Sequence, residues 1–299
     1  MSPLSITRIS LLAFVFATAS AKAGHPFLCC DYLGDKVCVV SAEGAIQWEY
    51  PAKNPQDCWL LPNGNYLFAY VAGAKEVTTD KQVVWEYKAP PKSEVHACQP
   101  LPDGNVLVVE GGTSRLVEID RQGQVAKEIK LETAPSIAMH NQFRGSRKLP
   151  NGHYLVCFKG EGKVVELDGD GKVLRGITVP GDPHEVVPLA DGHLLIDCGD
   201  GHRALEFDAE GKIVWELGEN DLPGNPLRLV AGCQRLPNGN TVFCNYLGHG
   251  HLVQQPQVVE ITPDKKVVWQ VDDATHFKTI NQIQLLDVPG DVTKGEIHR

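Results

Sequence analysis

The sequence predicts an all-β fold, a six-bladed β-propeller of four-stranded antiparallel blades. The first observation is a turn phrase that returns along the chain. Its copies are Leu61-Pro62-Asn63-Gly64, Leu101-Pro102-Asp103-Gly104, Leu149-Pro150-Asn151-Gly152, Leu189-Ala190-Asp191-Gly192 and Leu236-Pro237-Asn238-Gly239. The turn prolines stand 40 residues apart between Pro62 and Pro102 and 48 apart between Pro102 and Pro150. A repeat of this length is typical of propeller blades or solenoid units.

The second observation is a run of the type Val-Val-Glu-Ile, followed by a run that closes on Trp-Glu or its remnant. Six copies begin near Cys38, Glu76, Leu116, Val164, Ala204 and Val258. Together with the runs before and after the Pro-Asn-Gly turn, they give each unit four short β-rich segments. Asn-Gly and Asp-Gly favour two-residue hairpin turns whose central residues both have positive φ. Each unit is therefore predicted to be a four-stranded antiparallel meander.

The third observation concerns the two ends of the repeat array. Residues 280–286 form a strand-like run with no partners after it, whereas residues 26–50 supply only three strands of a blade. We expect the C-terminal strand to complete the blade that the N-terminal strands begin. Such closure joins the ring and protects its edges.

Residues 1–23 have the pattern of a cleaved signal peptide. Arg8 precedes an apolar run over residues 9–18, and Ala21-Lys22-Ala23 has the small residues that signal peptidase requires. The run is too short for a permanent membrane span. We expect a single propeller domain at residues 24–299, exported to the periplasm or the extracellular space, with no membrane span.

Composition limits the classes of partner. The net charge is −9 and no basic cluster occurs, which argues against nucleic acid. The nine cysteines follow the repeat: Cys58, Cys98 and Cys233 each lie four residues before a turn proline. This placement indicates small buried core residues. Because nine is odd, a monomer keeps at least one unpaired thiol, while one or two disulfides between adjacent blades stay open.

Alignment of the blades on the turn proline identifies a candidate ring at the channel mouth, six residues before the proline. Its members are Gln56, His96, Arg144, His184, Ala231 and Asn281. A purely structural position is expected to repeat one residue type, as the leucine before the turn does. This position varies, so the sequence predicts a site.

The longest loops that enter the inner strands add His140 and Arg228 to the same region. Insertions on one face of a repeat protein usually mark the binding face. His96, His140 and His184 are the candidate catalytic residues, and Arg144 and Arg228, with His96 and His184, are predicted to bind an anion. The alternative is that each histidine only makes a backbone hydrogen bond.

Two other groups of histidines are assigned to turns. His153 and His193 replace the asparagine that follows the turn glycine, as in Asn65, Asn105 and Asn240, and are interpreted as hairpin residues. The tract Gly248-His249-Gly250-His251 resembles a metal-binding tract but falls in a hairpin loop that we expect to point outward. We therefore predict no metal site. The tryptophans at one repeat position, Trp48, Trp85, Trp215 and Trp269, are predicted to pack between blades.

The repeat phrases resemble those of bacterial arylsulfotransferase-like propellers and of pyrroloquinoline-quinone (PQQ) repeat-like propellers of exported proteins, over nearly all of residues 25–286. In arylsulfotransferases a channel histidine accepts the sulfuryl group covalently, and His96, His184 and Arg144 stand where the resemblance suggests such residues. The chain is much shorter than that family. PQQ enzymes use larger propellers with calcium ligands, so no bound quinone or other cofactor is expected.

Three functions are consistent with the sequence. The favoured one is a propeller that binds a small anionic molecule or a protein partner at the channel mouth without turnover. The second is an arylsulfotransferase-like enzyme that uses the channel histidines and arginines. The third is a non-catalytic scaffold that uses its rim for protein contacts.

Overall fold

The computed structural model describes residues 24–299, and the predicted signal peptide at residues 1–23 lies outside the described residues. Strands β1 to β3 are Phe27–Asp31, Lys36–Val40 and Ile46–Pro51. Strands β4 to β11 are Pro55–Leu60, Tyr66–Tyr70, Gly73–Val77, Val83–Lys88, Glu94–Pro100, Val106–Gly111, Arg115–Ile119 and Val125–Lys130. Strands β12 to β19 are Ser146–Lys148, Tyr154–Phe158, Lys163–Leu167, Val173–Thr178, Glu185–Pro188, Leu194–Asp197, Ala204–Phe207 and Ile213–Leu217. Strands β20 to β24 are Leu229–Arg235, Thr241–Tyr246, Val258–Ile261, Val267–Val271 and Ile280–Leu285, and short 3₁₀ turns occur at Met139–Asn141, Lys159–Glu161 and Val292–Lys294.

The strands form six four-stranded antiparallel sheets, which confirms the predicted propeller. Five blades are consecutive meanders, from β4–β7 to β20–β23, and the sixth has the order β24-β1-β2-β3. Phe27 of β1 lies opposite Leu285 of β24, so the C-terminal strand completes the blade that the N-terminal strands begin. The predicted closure of the ring is confirmed.

The Pro-Asn-Gly hairpins are one residue longer than predicted. In the first of them the Gly64 amide donates to the Leu61 carbonyl, and the Leu61 amide donates to the Asn65 carbonyl. The turn therefore centres on Pro62 and Asn63, and only Gly64 has positive φ, at 83°. Proline fixes its φ near −65°, which suits the first central position of a type I turn, and the left-handed residue then falls on glycine. The prediction of two central residues with positive φ was wrong.

The blades are joined by the tryptophans of the outer strands, as predicted. The indole N–H of Trp48 donates to the Thr79 carbonyl of the next blade at 2.8 Å, and Trp85 donates to the Asp120 carbonyl of the following blade at 2.8 Å. Each ring thereby covers apolar surface and has its one polar atom satisfied. The outer strands otherwise alternate between exposed and half-buried side chains, which is typical of a sheet edge that faces water.

The innermost strands surround a channel that runs from the mouth to the Pro-Asn-Gly turns. Beyond β24 the chain crosses the turn end of this channel. The His298 carbonyl accepts from the Arg235 amide of β20, and the His298 ring lies 2.9 Å from the Pro188 carbonyl of β16. The fully buried Arg299 side chain lies inside the ring, where its Nε donates to the Ile283 carbonyl. We call residues 288–299 the tail, and it closes this end of the channel.

All nine cysteines are buried and unpaired. Cys58, Cys98 and Cys233 lie on the inner strands β4, β8 and β20, as small core residues. The expectation of buried core thiols is confirmed. Among the described residues, no helix is long and apolar enough to cross a membrane.

Candidate functional site

A cavity opens at the mouth of the channel, opposite the Pro-Asn-Gly turns. Its volume is about 70 Å³, several times the roughly 10–15 Å³ that holds one water molecule. All six positions that the turn prolines align contribute to its wall. These residues are Gln56, His96, Arg144, His184, Ala231 and Asn281. The repeat thus locates the ring by sequence alone, while the role of the ring in binding stays a prediction.

Irregular pairing of the inner strands explains why four ring residues face the cavity. The pairing skips one residue in β4, β8, β20 and β24, and the skipped residues are Gln56, His96, Ala231 and Asn281. A bulged residue leaves the strand ladder, so the local twist re-aims its side chain. The bulges turn these side chains away from the blade interfaces and toward the channel axis.

Arg144 is the most unusual member of the ring, because its guanidinium is buried without a carboxylate partner. Its Nη1 donates to the carbonyls of His140 and Phe143, at 2.6 and 2.7 Å. Within residues 24–299 no carboxylate oxygen lies within 4.0 Å of the guanidinium. Burial lowers the pKa of Arg144 to about 10, so the group is still charged at neutral pH. An unpaired buried charge is costly unless a ligand neutralises it.

His184 lies in the ring beside Arg144, on the loop that enters β16. Its Nδ1 lies 2.9 Å from the backbone carbonyl of Asp182, which can only accept, so Nδ1 carries the proton. Burial, reinforced by the charge of Arg144, lowers the pKa of His184 well below its usual value. The imidazole of His184 is therefore neutral. Its Nε2 keeps a lone pair, and the side chain lines the cavity.

His96 and His140 face each other across Glu94. The ring of His96 is fully buried, and its centre lies 5.4 Å from that of His140, which is half-exposed. Glu94 Oε2 lies 3.3 Å from His96 Nε2 and 2.8 Å from His140 Nδ1. The contact with His96, and then the one with His140, lower the pKa of Glu94 to about 2. Burial lowers the pKa of His96 to about 3, so the imidazole is neutral.

The cavity rim contains two tyrosines that the sequence does not single out and one histidine, His249, that it places elsewhere. Tyr32 and Tyr246 meet edge to face with centroids 5.7 Å apart, and His249 meets Tyr246 in the same way at 5.5 Å. Burial raises the pKa of Tyr246 to about 12, so its hydroxyl is a neutral donor. His249 was predicted to point outward, but it lines the cavity. In an antiparallel blade the loop between the second and third strands returns to the same face as the loop that enters the first.

Arg228, by contrast, lies outside the cavity wall. Its guanidinium pairs with Glu219 at 2.9 Å and donates to the Leu227 carbonyl. The structure therefore does not bring Arg228 to the other predicted anion-binding residues. The loop that carries it folds back on itself through this pair, which the sequence pattern does not reveal.

Below the ring, two buried arginines neutralise two buried carboxylates. Arg147 donates to Asp57 at 3.2 Å and to Glu185 at 3.1 Å, and Arg299 donates to Asp57 at 3.0 Å. Glu185 also accepts from Gln282 at 3.0 Å. Each of the two carboxylates thus has an arginine partner, and we call these four groups the base cluster. Arg144, by contrast, has no carboxylate oxygen within 4.0 Å among residues 24–299.

A third buried carboxyl, Asp197, lies beside the thiol of Cys233. Burial raises the pKa of Asp197 well above its usual range. Neither of its oxygens makes a geometrically aligned hydrogen bond to the described residues. Burial therefore disfavours a charge on Asp197, which is not one of the residues that line the cavity.

His153 and His193, which the sequence assigns to hairpins, lie far from this mouth on the turn face. His153 Nδ1 lies 2.8 Å from Glu166, and His193 Nδ1 lies 2.9 Å from Glu206. Asn65 makes the equivalent contact with Glu76. The prediction that these histidines are hairpin residues is confirmed.

Fold and site together define a six-bladed propeller of the PQQ-like type with a polar cavity at the channel mouth. Residues 33–191, more than half of the 299, match the PQQ_2 family, described as outer membrane protein assembly factor BamB. The chain belongs to this family. The match confirms the resemblance to PQQ repeat-like propellers.

Solved structures agree with this assignment. A protein of unknown function from Bacteroides caccae is 32% identical, with a TM-score of 0.79 over 87% of this chain and 98% of that one. Virginiamycin B lyase from Staphylococcus aureus is 17% identical, with a TM-score of 0.54 over 72% of this chain and 68% of the lyase, and shares the fold alone. A functionally unknown protein from Desulfotomaculum acetoxidans is 12% identical, with a TM-score of 0.54 over 86% and 87% of the two chains. No protein of curated function matches the chain.

Proposed function

We propose that the protein binds a small anionic molecule in the cavity at the channel mouth. The observation that carries this proposal is the buried guanidinium of Arg144, which has no carboxylate within 4.0 Å among the described residues. Glu185, the carboxylate that lines the cavity, is already paired with Arg147. A bound anion would give the Arg144 guanidinium a direct counter-charge.

The cavity supports a particular kind of anion. Arginine presents planar, paired donors that match the oxygens of sulfate, phosphate and carboxylate. The hydroxyls of Tyr32 and Tyr246 add neutral donors at the rim. His184, in contrast, offers a lone pair at Nε2, which an oxygen without hydrogen would not satisfy. We therefore expect an anion that carries a hydroxyl, such as hydrogen phosphate or a hydroxy acid, to bind more tightly than sulfate.

Calorimetric titration of the purified protein with phosphate, sulfate and lactate tests the proposal. The key variant is Arg144→Met, which keeps much of the side-chain volume and removes the charge. Since a hydrogen bond to a charged group contributes about 1.5–3 kcal/mol, we expect binding to weaken roughly 10- to 150-fold. Arg228→Met is the matched control, because its guanidinium pairs with Glu219 outside the cavity. Equal binding by wild type and Arg144→Met, or an equal loss in both variants, contradicts the proposal.

The neutral, oriented imidazole of His184 also favours a second candidate, sulfuryl transfer from an aryl ester. In the first step the Nε2 lone pair forms a bond to sulfur as the bond from sulfur to the phenol oxygen breaks, and the released phenolate takes a proton from water. In the second step the acceptor phenol loses its proton to water and its oxygen forms a bond to sulfur as the bond from sulfur to Nε2 breaks, which restores the imidazole. The same protein is therefore incubated with an aryl sulfate and a phenol acceptor. Phenol release that His184→Gln abolishes supports this enzyme; anion binding without release supports binding alone. Binding of a protein partner at the rim is the remaining outcome.

We infer that this binding takes place outside the cytoplasm. The support is the pattern of residues 1–23, in which Arg8, an apolar run and Ala21-Lys22-Ala23 have the order of a cleaved signal peptide. The ligand would then be a molecule available to an exported protein. N-terminal sequencing of the protein from its native host, with Gly24 expected first, tests the cleavage.

A further inference from the structure

A triad of potential metal ligands lies at the channel mouth, apart from the guanidinium of Arg144: His96 and His140 line the cavity, and Glu94 contacts both. Glu94, His96 and His140 each offer one donor atom, and these three atoms lie within 4.8 Å of one another. Glu94 and His96 come from the start of β8, two residues apart, and His140 comes from the 3₁₀ turn at Met139–Asn141. The start of β8 and the loop with the 3₁₀ turn therefore meet at the channel mouth.

His96 provides an independent reason to expect a ligand here. Its side chain is fully buried, yet neither ring nitrogen makes a hydrogen bond to the described residues. Nε2 lies 3.3 Å from Glu94 Oε2, but the two atoms are not aligned for a hydrogen bond. Buried polar atoms are nearly always satisfied, and one that is not usually indicates a missing ion, water or ligand. The bulge at this position directs the ring into the cavity.

We propose that Glu94, His96 and His140 bind a divalent transition-metal ion of the zinc type at the channel mouth. Two imidazoles and one carboxylate are a donor set that zinc accepts, and three protein ligands leave a fourth position open to water or substrate. In a tetrahedral site with ligand bonds of about 2.0–2.1 Å, neighbouring ligand atoms are about 3.4 Å apart. The 3.3 and 2.8 Å distances from Glu94 to the two histidines are close to that separation.

Proton and charge requirements agree with this assignment. Metal binding needs neutral imidazoles and an ionised carboxylate. His140 would bind the metal through Nδ1, the atom that lies 2.8 Å from Glu94 Oε2, with its proton on Nε2 of the half-exposed ring. Arg144 is the nearby cation that opposes a metal, and the Glu94 carboxylate is the counter-charge that offsets it. The site is distinct from the anion site, although an anion could fill the open position.

Metal content and affinity of the purified chain test the proposal. After removal of metal with a chelator, the protein is titrated with Zn²⁺ and, separately, with Co²⁺, whose visible absorption reports tetrahedral nitrogen and oxygen ligands. We expect one equivalent to bind. Loss of an outer-shell residue typically costs 10- to 100-fold in affinity, so loss of a direct ligand in His96→Gln or Glu94→Gln is expected to cost on the order of 100-fold or more.

The control is His193→Asn at the turn face, where Asp191, His193 and Glu206 form a second cluster of comparable donors among residues 24–299. His193 is already hydrogen-bonded there, and equivalent blades use asparagine, so this variant should keep the full metal affinity. Arg144→Met should bind metal as tightly as wild type or more tightly, which separates this site from the anion site. No bound metal in the wild type, or unchanged affinity in a folded His96→Gln protein, overturns the proposal.

Discussion

Replacement of Arg147 by methionine is expected to destabilise the protein strongly. Arg147 is almost fully buried, and it alone connects Asp57 and Glu185, at 3.2 and 3.1 Å. Methionine fills much of its volume but leaves Glu185 with Gln282 as its hydrogen-bonding side-chain partner. Removal of one partner from a buried ion pair typically costs about 3–5 kcal/mol, because the remaining charge stays buried and unpaired. We therefore expect the free energy of unfolding to fall by roughly that amount.

The assay is urea unfolding followed by far-ultraviolet circular dichroism, since Trp59 packs against Arg147 and its fluorescence would change for local reasons. Arg203→Met is the matched control. Arg203 pairs with Glu216 at 3.1 Å, but both side chains are largely exposed, so the expected loss is about 0–1 kcal/mol. Glu185→Gln added to Arg147→Met removes the orphaned charge and should recover part of the stability. Equal losses for the two arginine variants, or no recovery in the double variant, would refute the reasoning.

Two further predictions concern His184 and Gly145, which both line the cavity. His184 is buried and neutral, with a pKa that burial and the charge of Arg144 hold well below 6.5, so below about pH 6.5 the unfolded chain takes up a proton that the folded protein refuses. The free energy of unfolding should then fall by about 1.4 kcal/mol per pH unit on acidification. Urea unfolding at a series of pH values measures this slope. An equally steep slope in His184→Gln would contradict the prediction. Gly145→Ala would bring a Cβ to 2.3 Å from Glu185 Oε1 and 2.9 Å from its Cα, at a cost of about 1–3 kcal/mol. Thermal unfolding followed by circular dichroism measures this cost. The control is Gly176→Ala, which has no atom within 4 Å of the added Cβ and should be neutral or slightly stabilising. Similar melting temperatures for both variants would disprove the steric argument.

The arrangement of the strands in six blades could be predicted because the same turn and strand motifs recur along the chain. A turn glycine marks five of the six blades, in four of them after a turn proline, and the unpaired run at residues 280–286 reveals the closure of the ring. The same spacing located the six wall residues. Each of these residues lies six residues before the turn proline position, and the sequence shows that number directly.

The rest of the site depends on contacts between segments that are distant in sequence. Glu94, at the start of β8, contacts His140 although 46 residues separate them, and the neighbouring bulge falls at His96. His249 reaches the rim across a blade, and its Nδ1 lies 2.9 Å from Asp200. Arg228 turns away because Glu219 lies within reach nine residues earlier. Composition and spacing carry no information on such pairings.

The tail closes the channel at the end opposite the mouth. Arg299 fills the bore at the level of Trp59, with the guanidinium 4.0 Å from the ring centre, and the residues before it lie across several inner strands. A linear polymer cannot thread from one face to the other, so any bound molecule presents only one end or one group to the ring. Because residues 288–299 close the turn end, entry and departure both use the mouth. If the protein turns over two substrates in succession, the first product must leave before the second can reach the same histidines, unless both fit side by side.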